Sequence, residues 1–66
     1  MNIRNTKNID KLTKFYIKAN TTKQLSTLWL KVNSLCWEYA NTIKFESYHA
    51  LKVKIREKEI LVLNDF

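Results

Sequence analysis

The 66-residue chain has no glycine and no proline, although average usage predicts roughly eight such residues. Turns that require glycine at a positive φ are therefore excluded. The loops must be type I turns or must use asparagine in the left-handed region, for which Asn20 and Asn64 are candidates. One cysteine excludes an intramolecular disulfide, and one cysteine with one histidine is too few for a zinc site of four protein ligands. We expect no metal and no other cofactor.

Acidic side chains and long apolar runs are also scarce. Six Asp and Glu oppose twelve Lys and Arg, giving a net charge of +6 that attracts phosphates, anionic lipid or an acidic protein. No apolar run approaches the roughly 18–20 residues of a membrane span, and the polar N-terminus lacks a signal-peptide centre. We expect a cytoplasmic protein without membrane contact. Residues 1–10 predict a flexible basic arm, followed by one small domain over residues 11–66.

Catalytic patterns are missing as well. The carboxylates are scattered along the chain, and the only histidine, His49, lies beside Tyr48 at a junction between elements. Cys36 has no basic residue three or four positions away to lower its pKa, so we expect a small buried hydrophobe instead of a nucleophile. The sequence therefore predicts a protein that is not an enzyme.

The clearest pattern predicts one long amphipathic helix over residues 22–44, because apolar residues recur there at intervals of three and four. Thr21 and Gln24 fit a capping box that begins this helix. The apolar stripe contains Leu25, Leu28, Trp29, Val32, Leu35, Cys36, Tyr39, Ala40 and Ile43.

Alternating apolar and charged residues flank this helix and predict strands over residues 11–19 and 51–56. Residues 60–63 supply a third strand after a turn near Glu57 and Lys58. We therefore predict an α+β fold, β-α-β-β, with a three-stranded antiparallel sheet packed on the long helix. The alternative is an all-α three-helix arrangement. In that alternative, a helix before residue 22 has an apolar face of Ile9, Leu12, Phe15 or Tyr16, and Ala19. A helix after residue 44 has an apolar face of Tyr48, Leu51, Ile55 and Val62.

In the sheet interpretation, five cations surround one aromatic ring on the face away from the helix. These residues are Lys14, Tyr16, Lys18, Lys52, Lys54 and Arg56. Cations neutralise phosphates while a ring stacks on a base, so the face predicts a small non-catalytic module that binds single-stranded RNA or DNA. A solvated sheet face, with lysines that prevent edge-to-edge pairing, would show the same pattern.

Two large apolar residues, Leu30 and Trp37, project opposite the centre of the helix stripe. Either a terminal segment covers them or they contact a partner, for which an aromatic anchor is typical. The polar residues predicted around them are Lys23, Asn41 and Lys44. The second hypothesis is therefore a regulator or inhibitor from a phage or mobile element. Its partner would be a larger acidic protein, a ribonucleoprotein or a second copy of the chain.

Residues 15–41 contain Ile17 before a helix start at Thr22 and Gln24, followed by Leu28, Cys36 and Asn41. These residues match positions of a family pattern, which has a proline before the threonine and an arginine near the position of Trp37. This chain has neither of those two residues. The segment resembles the N-terminal part of OrfB-type transposon-encoded RNA-guided nucleases, relatives of the type V CRISPR effectors. This resemblance implies contact with guide RNA or a nucleic-acid backbone. It does not imply cleavage, because the family's carboxylate nuclease domain does not fit in so short a chain.

Overall fold

The protein is an all-helical bundle in a computed structural model that describes residues 6–64. Helix α1 spans Ile9–Lys18, α2 spans Thr22–Glu38 and α3 spans Lys44–Asn64, and the described range contains no strand. The predicted α+β fold with its three-stranded sheet is therefore wrong, and the three-helix alternative is the arrangement observed. Residues 1–5 of the predicted arm lie outside the described residues. Within the rest of that arm, Thr6 is buried.

Helix α1 occupies the segment predicted as the first strand. The Asn8 side chain caps it by accepting a hydrogen bond from the backbone N–H of Asp10 at 2.8 Å. Asp10 in the first turn and Lys18 in the last turn complement the helix dipole. Leu12 is fully buried, whereas Ile17 is 67% exposed, although a strand with Lys14, Tyr16 and Lys18 on its outer face would turn Ile17 towards the core. The side chains of this segment are therefore buried at helical spacing and not at every second residue, as a strand would require.

Helix α3 runs through both of the other predicted strands. Neither glycine nor asparagine interrupts it at Glu57 and Lys58, and the lysines and glutamates of this segment are good helix formers. Tyr48, Leu51 and Ile55 are buried at helical spacing, which satisfies the core without a sheet. Burial in the bundle thus overrides the strand preference of the β-branched residues.

The cap predicted for α2 is confirmed, because the Thr21 hydroxyl accepts a hydrogen bond from the backbone N–H of Gln24 at 3.2 Å. The second half of the predicted capping box differs, because the Gln24 side chain accepts from the backbone N–H of Asn20, one residue before the cap, and not from that of Thr21. No described residue has a positive φ, so the loops do not use asparagine in the left-handed region.

The predicted end of α2 at residue 44 is wrong, because the helix ends at Glu38. The backbone N–H and the hydroxyl of Thr42 both donate to the carbonyl of Tyr39, at 3.0 and 2.9 Å. These bonds turn the chain, and α3 then packs antiparallel to α2. The Tyr39 and Tyr48 rings stack across this pair, with centroids 5.6 Å apart.

The apolar core lies between the three helices, and α2 contributes most of it. The fully enclosed side chains of the core come from all three helices and are each 1% exposed or less: Leu12, Leu25, Leu28, Val32, Leu35 and Ile55. Cys36 is buried beside them, as predicted. Trp29 and Tyr39 pack against the core while remaining partly exposed.

Candidate binding surfaces

The six residues of the predicted sheet face do not share a surface. Lys14, Tyr16 and Lys18 lie on α1, whereas Lys52, Lys54 and Arg56 lie on α3. Since successive residues of a helix are about 100° apart, Lys52 and Lys54 point in directions about 160° apart. The prediction of one basic sheet face is therefore wrong, and its residues belong to three separate surfaces.

The first surface lies where α3 meets α1. Lys58 donates hydrogen bonds to the backbone carbonyls of Tyr16 and Ile17, at 2.8 and 3.2 Å, and its ammonium lies 4.9 Å from the centroid of the Tyr16 ring. A lysine in this position satisfies carbonyls that the end of α1 leaves without a helical partner. Lys54 and Leu51 line an open cavity of about 290 Å³ beside it. The strand interpretation places Lys58 in a turn, which is why the sequence does not indicate this contact.

The second surface lies on the other side of α3, against α2. The Arg56 guanidinium stacks over the Trp29 ring at 4.0 Å from the centroid, and the Lys52 ammonium lies 5.8 Å from the same centroid. Lys52 donates to the side-chain oxygen of Asn33 at 3.2 Å, and Arg56 forms an ion pair with Glu59 at 3.0 Å. Two predicted cations therefore meet on an aromatic ring, although the ring is not the predicted Tyr16.

The third surface is an outer edge of α1 that we name the lysine stripe, formed by Lys11, Lys14 and Lys18. Spacings of three and four place these exposed side chains on one helix face. In the part of the chain that the structure describes, their ammonium groups have no hydrogen bond or ion pair. Lys11 was missed because a strand places it on the opposite side from Lys14, whereas a helix places the two together.

A separate apolar surface, which we name the docking patch, consists of Leu30 and Trp37 on the outer side of α2. They are 61% and 77% exposed, which confirms that both side chains lie off the core face. Lys23 lies on the same side of α2. The predicted neighbours Asn41 and Lys44 do not extend this face, because α2 ends before them. Asn41 belongs to the following loop, and the Lys44 ammonium lies 5.1 Å from the centroid of the Tyr39 ring.

Charge and burial shift two pKa values where the start of α1 meets the loop between α2 and α3. The Lys7 ammonium lies 2.9 Å from a carboxylate oxygen of Glu38, and this hydrogen bond and charge raise the pKa of Lys7 above its ordinary value. The Tyr48 hydroxyl donates to the backbone carbonyl of Lys7. Burial of the phenol raises the pKa of Tyr48 above its ordinary value of 10.0.

Stability is therefore expected to fall in alkali. The folded state holds the Tyr48 proton more tightly than the unfolded state does, so this contribution is complete below pH 10.0 and is lost as the pH rises through the folded pKa. The raised pKa of Lys7 acts in the same direction. We expect the midpoint of thermal unfolding, followed by circular dichroism, to decline above pH 10.0, and Tyr48→Phe to reduce this decline. An equal decline in both proteins would contradict the assignment to Tyr48.

Within residues 6–64, no three His, Cys, Asp or Glu side chains come together in a group that could hold a metal ion. No helix in that range combines the length and the hydropathy needed to cross a membrane. Comparisons with protein-family models, curated proteins and solved structures found no match to this chain. The resemblance of residues 15–41 to OrfB-type nucleases is neither supported nor contradicted by these comparisons, and it stays a prediction.

Proposed function

We propose that the protein is a small non-catalytic module of the cytoplasm that binds the phosphate backbone of single-stranded RNA or DNA through the lysine stripe. The observation that carries this proposal is the exposure of three ammonium groups on one side of α1 without a described partner. A net charge of +6 supports it, because the field of the whole protein attracts polyanions over a distance.

The geometry of the lysine stripe suits a flexible strand. Residues three or four apart on a helix have Cβ atoms about 5–6 Å apart, so each lysine can reach a separate phosphate with its long stem. Single strands adapt their backbone to such a short stripe more easily than a duplex does. Binding of this kind reads charge and not sequence, so we expect weak discrimination between bases.

The proposal is tested by measuring the affinity for a short oligothymidine at several salt concentrations. Three phosphate contacts to a single strand give a slope of about −2 in log K against log salt, which is an about twentyfold loss between 50 and 200 mM. The triple variant Lys11→Gln, Lys14→Gln, Lys18→Gln is expected to make the slope shallower by about 2. The control is the triple variant Lys23→Gln, Lys44→Gln, Lys54→Gln, which removes the same charge elsewhere. Equal effects of both variants, or salt-independent binding, would contradict the proposal.

A second candidate function, protein binding through the docking patch, is favoured by the 77% exposure of Trp37. Two such side chains bury a few hundred Å² at most, below the about 800 Å² per partner of a standard interface. A second copy would also bring another net charge of +6. We therefore propose a larger acidic protein, alone or in a ribonucleoprotein, with an apolar pocket that encloses Trp37. Such a partner fits a regulator or inhibitor from a phage or mobile element, a source with which the high content of Asn, Lys and Ile is compatible.

A further inference from the structure

A group of side chains between α2 and α3 offers more hydrogen-bond donors than acceptors. We name it the Trp29 cluster, and it consists of Trp29, Asn33, Lys52 and Arg56. Lys52 and Arg56 are four residues apart on one face of α3, and both cations lie over the Trp29 ring, at 5.8 and 4.0 Å from its centroid. Like charges at this spacing repel each other, so the arrangement favours an anion between or beside them.

The described residues supply few acceptors for these donors. The Glu59 carboxylate is paired with Arg56, and the side-chain oxygen of Asn33 already accepts from Lys52. That bond leaves the Asn33 amide group, a donor, without a described partner. The indole N–H of Trp29 is shielded from solvent and also donates to no described acceptor. Only one carboxylate therefore balances two cations in this cluster.

We propose that the Trp29 cluster binds a phosphate group. The Arg56 side chain is 52% exposed and keeps guanidinium N–H groups beyond the one directed at Glu59. The planar fork of arginine and the point charge of lysine together suit an anion with several oxygens. Inorganic phosphate, a nucleotide or a nucleic-acid backbone can supply this chemistry. The site is separate from the lysine stripe, because α3 presents these residues to α2 and not to α1.

The affinity is measured through the fluorescence of Trp29 in a Trp37→Phe background, where Trp29 is the one remaining tryptophan. Inorganic phosphate is titrated at constant ionic strength, balanced with sodium chloride. We expect a saturable change, and we expect Lys52→Met and Arg56→Met each to weaken phosphate binding about tenfold while the methionine stems preserve the packing on the ring. The matched control is Lys54→Met, which removes one positive charge from the opposite side of α3 and should change the affinity less than about twofold.

The same titration with a short oligothymidine separates the sources of the phosphate. Competition between oligothymidine and inorganic phosphate would support the site and include nucleic-acid backbones among its ligands. Binding of phosphate without oligothymidine would support the site and exclude nucleic-acid backbones from its ligands, while the function proposed for the lysine stripe is tested separately by the Lys11, Lys14 and Lys18 variants. A fluorescence change that follows ionic strength alone, or equal losses in Lys52→Met and Lys54→Met, would overturn the inference. Circular dichroism of each variant establishes that the helices are intact.

Discussion

Replacing Leu28 by alanine is expected to destabilise the protein by about 3 kcal/mol, which is a large fraction of the stability of a domain of this size. Leu28 is 1% exposed and lies in the middle of the contribution of α2 to the core. Its removal leaves a cavity that the surrounding side chains fill only partly. A 66-residue domain buries only about 60% of its unfolded surface, so it has few other contacts to compensate.

Leu30→Ala is the matched control, because it makes the same chemical change two residues further along the same helix. Leu30 is 61% exposed, and we expect a loss within about 0.5 kcal/mol. Urea unfolding followed by circular dichroism measures both variants. Similar losses would show that another part of the chain covers Leu30, and the docking patch would then be part of the core.

Trp37→Ala is expected to weaken association with the proposed protein partner about thirtyfold or more, because a buried tryptophan anchor dominates interfaces of this kind. The indole is 77% exposed in the free chain, so its removal should leave the helical circular dichroism unchanged. The partner is identified by passing a lysate of the source cells over the immobilised chain and analysing the proteins that it retains. The affinity of the purified partner is then measured for both proteins.

Ile17→Ala is the control for this experiment, since Ile17 is a similarly exposed apolar residue on α1. We expect the partner to bind Ile17→Ala and the unchanged chain alike. Equal binding to Trp37→Ala would exclude the docking patch as the contact. Light scattering of the chain alone tests the remaining partner: a dimer that Trp37→Ala converts to a monomer would identify a second copy of the chain.

The sequence predicts the start and the core face of α2 well, although not its end, because the residue pattern of its first turns has only one interpretation. Thr21 has the side chain for a cap, and Leu25, Leu28 and Leu35 fit the helical period without fitting an alternation of two. Residues 51–56 fit both periods, since Leu51 and Ile55 are four apart and also alternate with lysines. Burial decides between these interpretations: Ile55 is fully enclosed, whereas Val53 is 43% exposed. That difference depends on how α3 packs against the other two helices, which the sequence of residues 51–56 alone does not determine.

The candidate surfaces were less predictable than the helices for the same reason. Lys14, Lys18, Lys52 and Arg56 are exposed or partly exposed cations in either fold. Which of them meet depends on the fold, because Lys52 and Arg56 reach Trp29 only when α3 is a helix antiparallel to α2. The exposure of Trp37 could be predicted without knowing how the helices pack, because Trp37 lies opposite the apolar face of α2.

The short connections of the bundle also bear on how fast the chain folds. Three residues, Ala19 to Thr21, join α1 to α2, and five residues, Tyr39 to Ile43, join α2 to α3. Each helix therefore packs against its neighbour in sequence after closing only a small loop, which costs little entropy. Helical topologies of this kind fold in microseconds to milliseconds. Newly made chains would thus hide their core leucines quickly, leaving little time for aggregation.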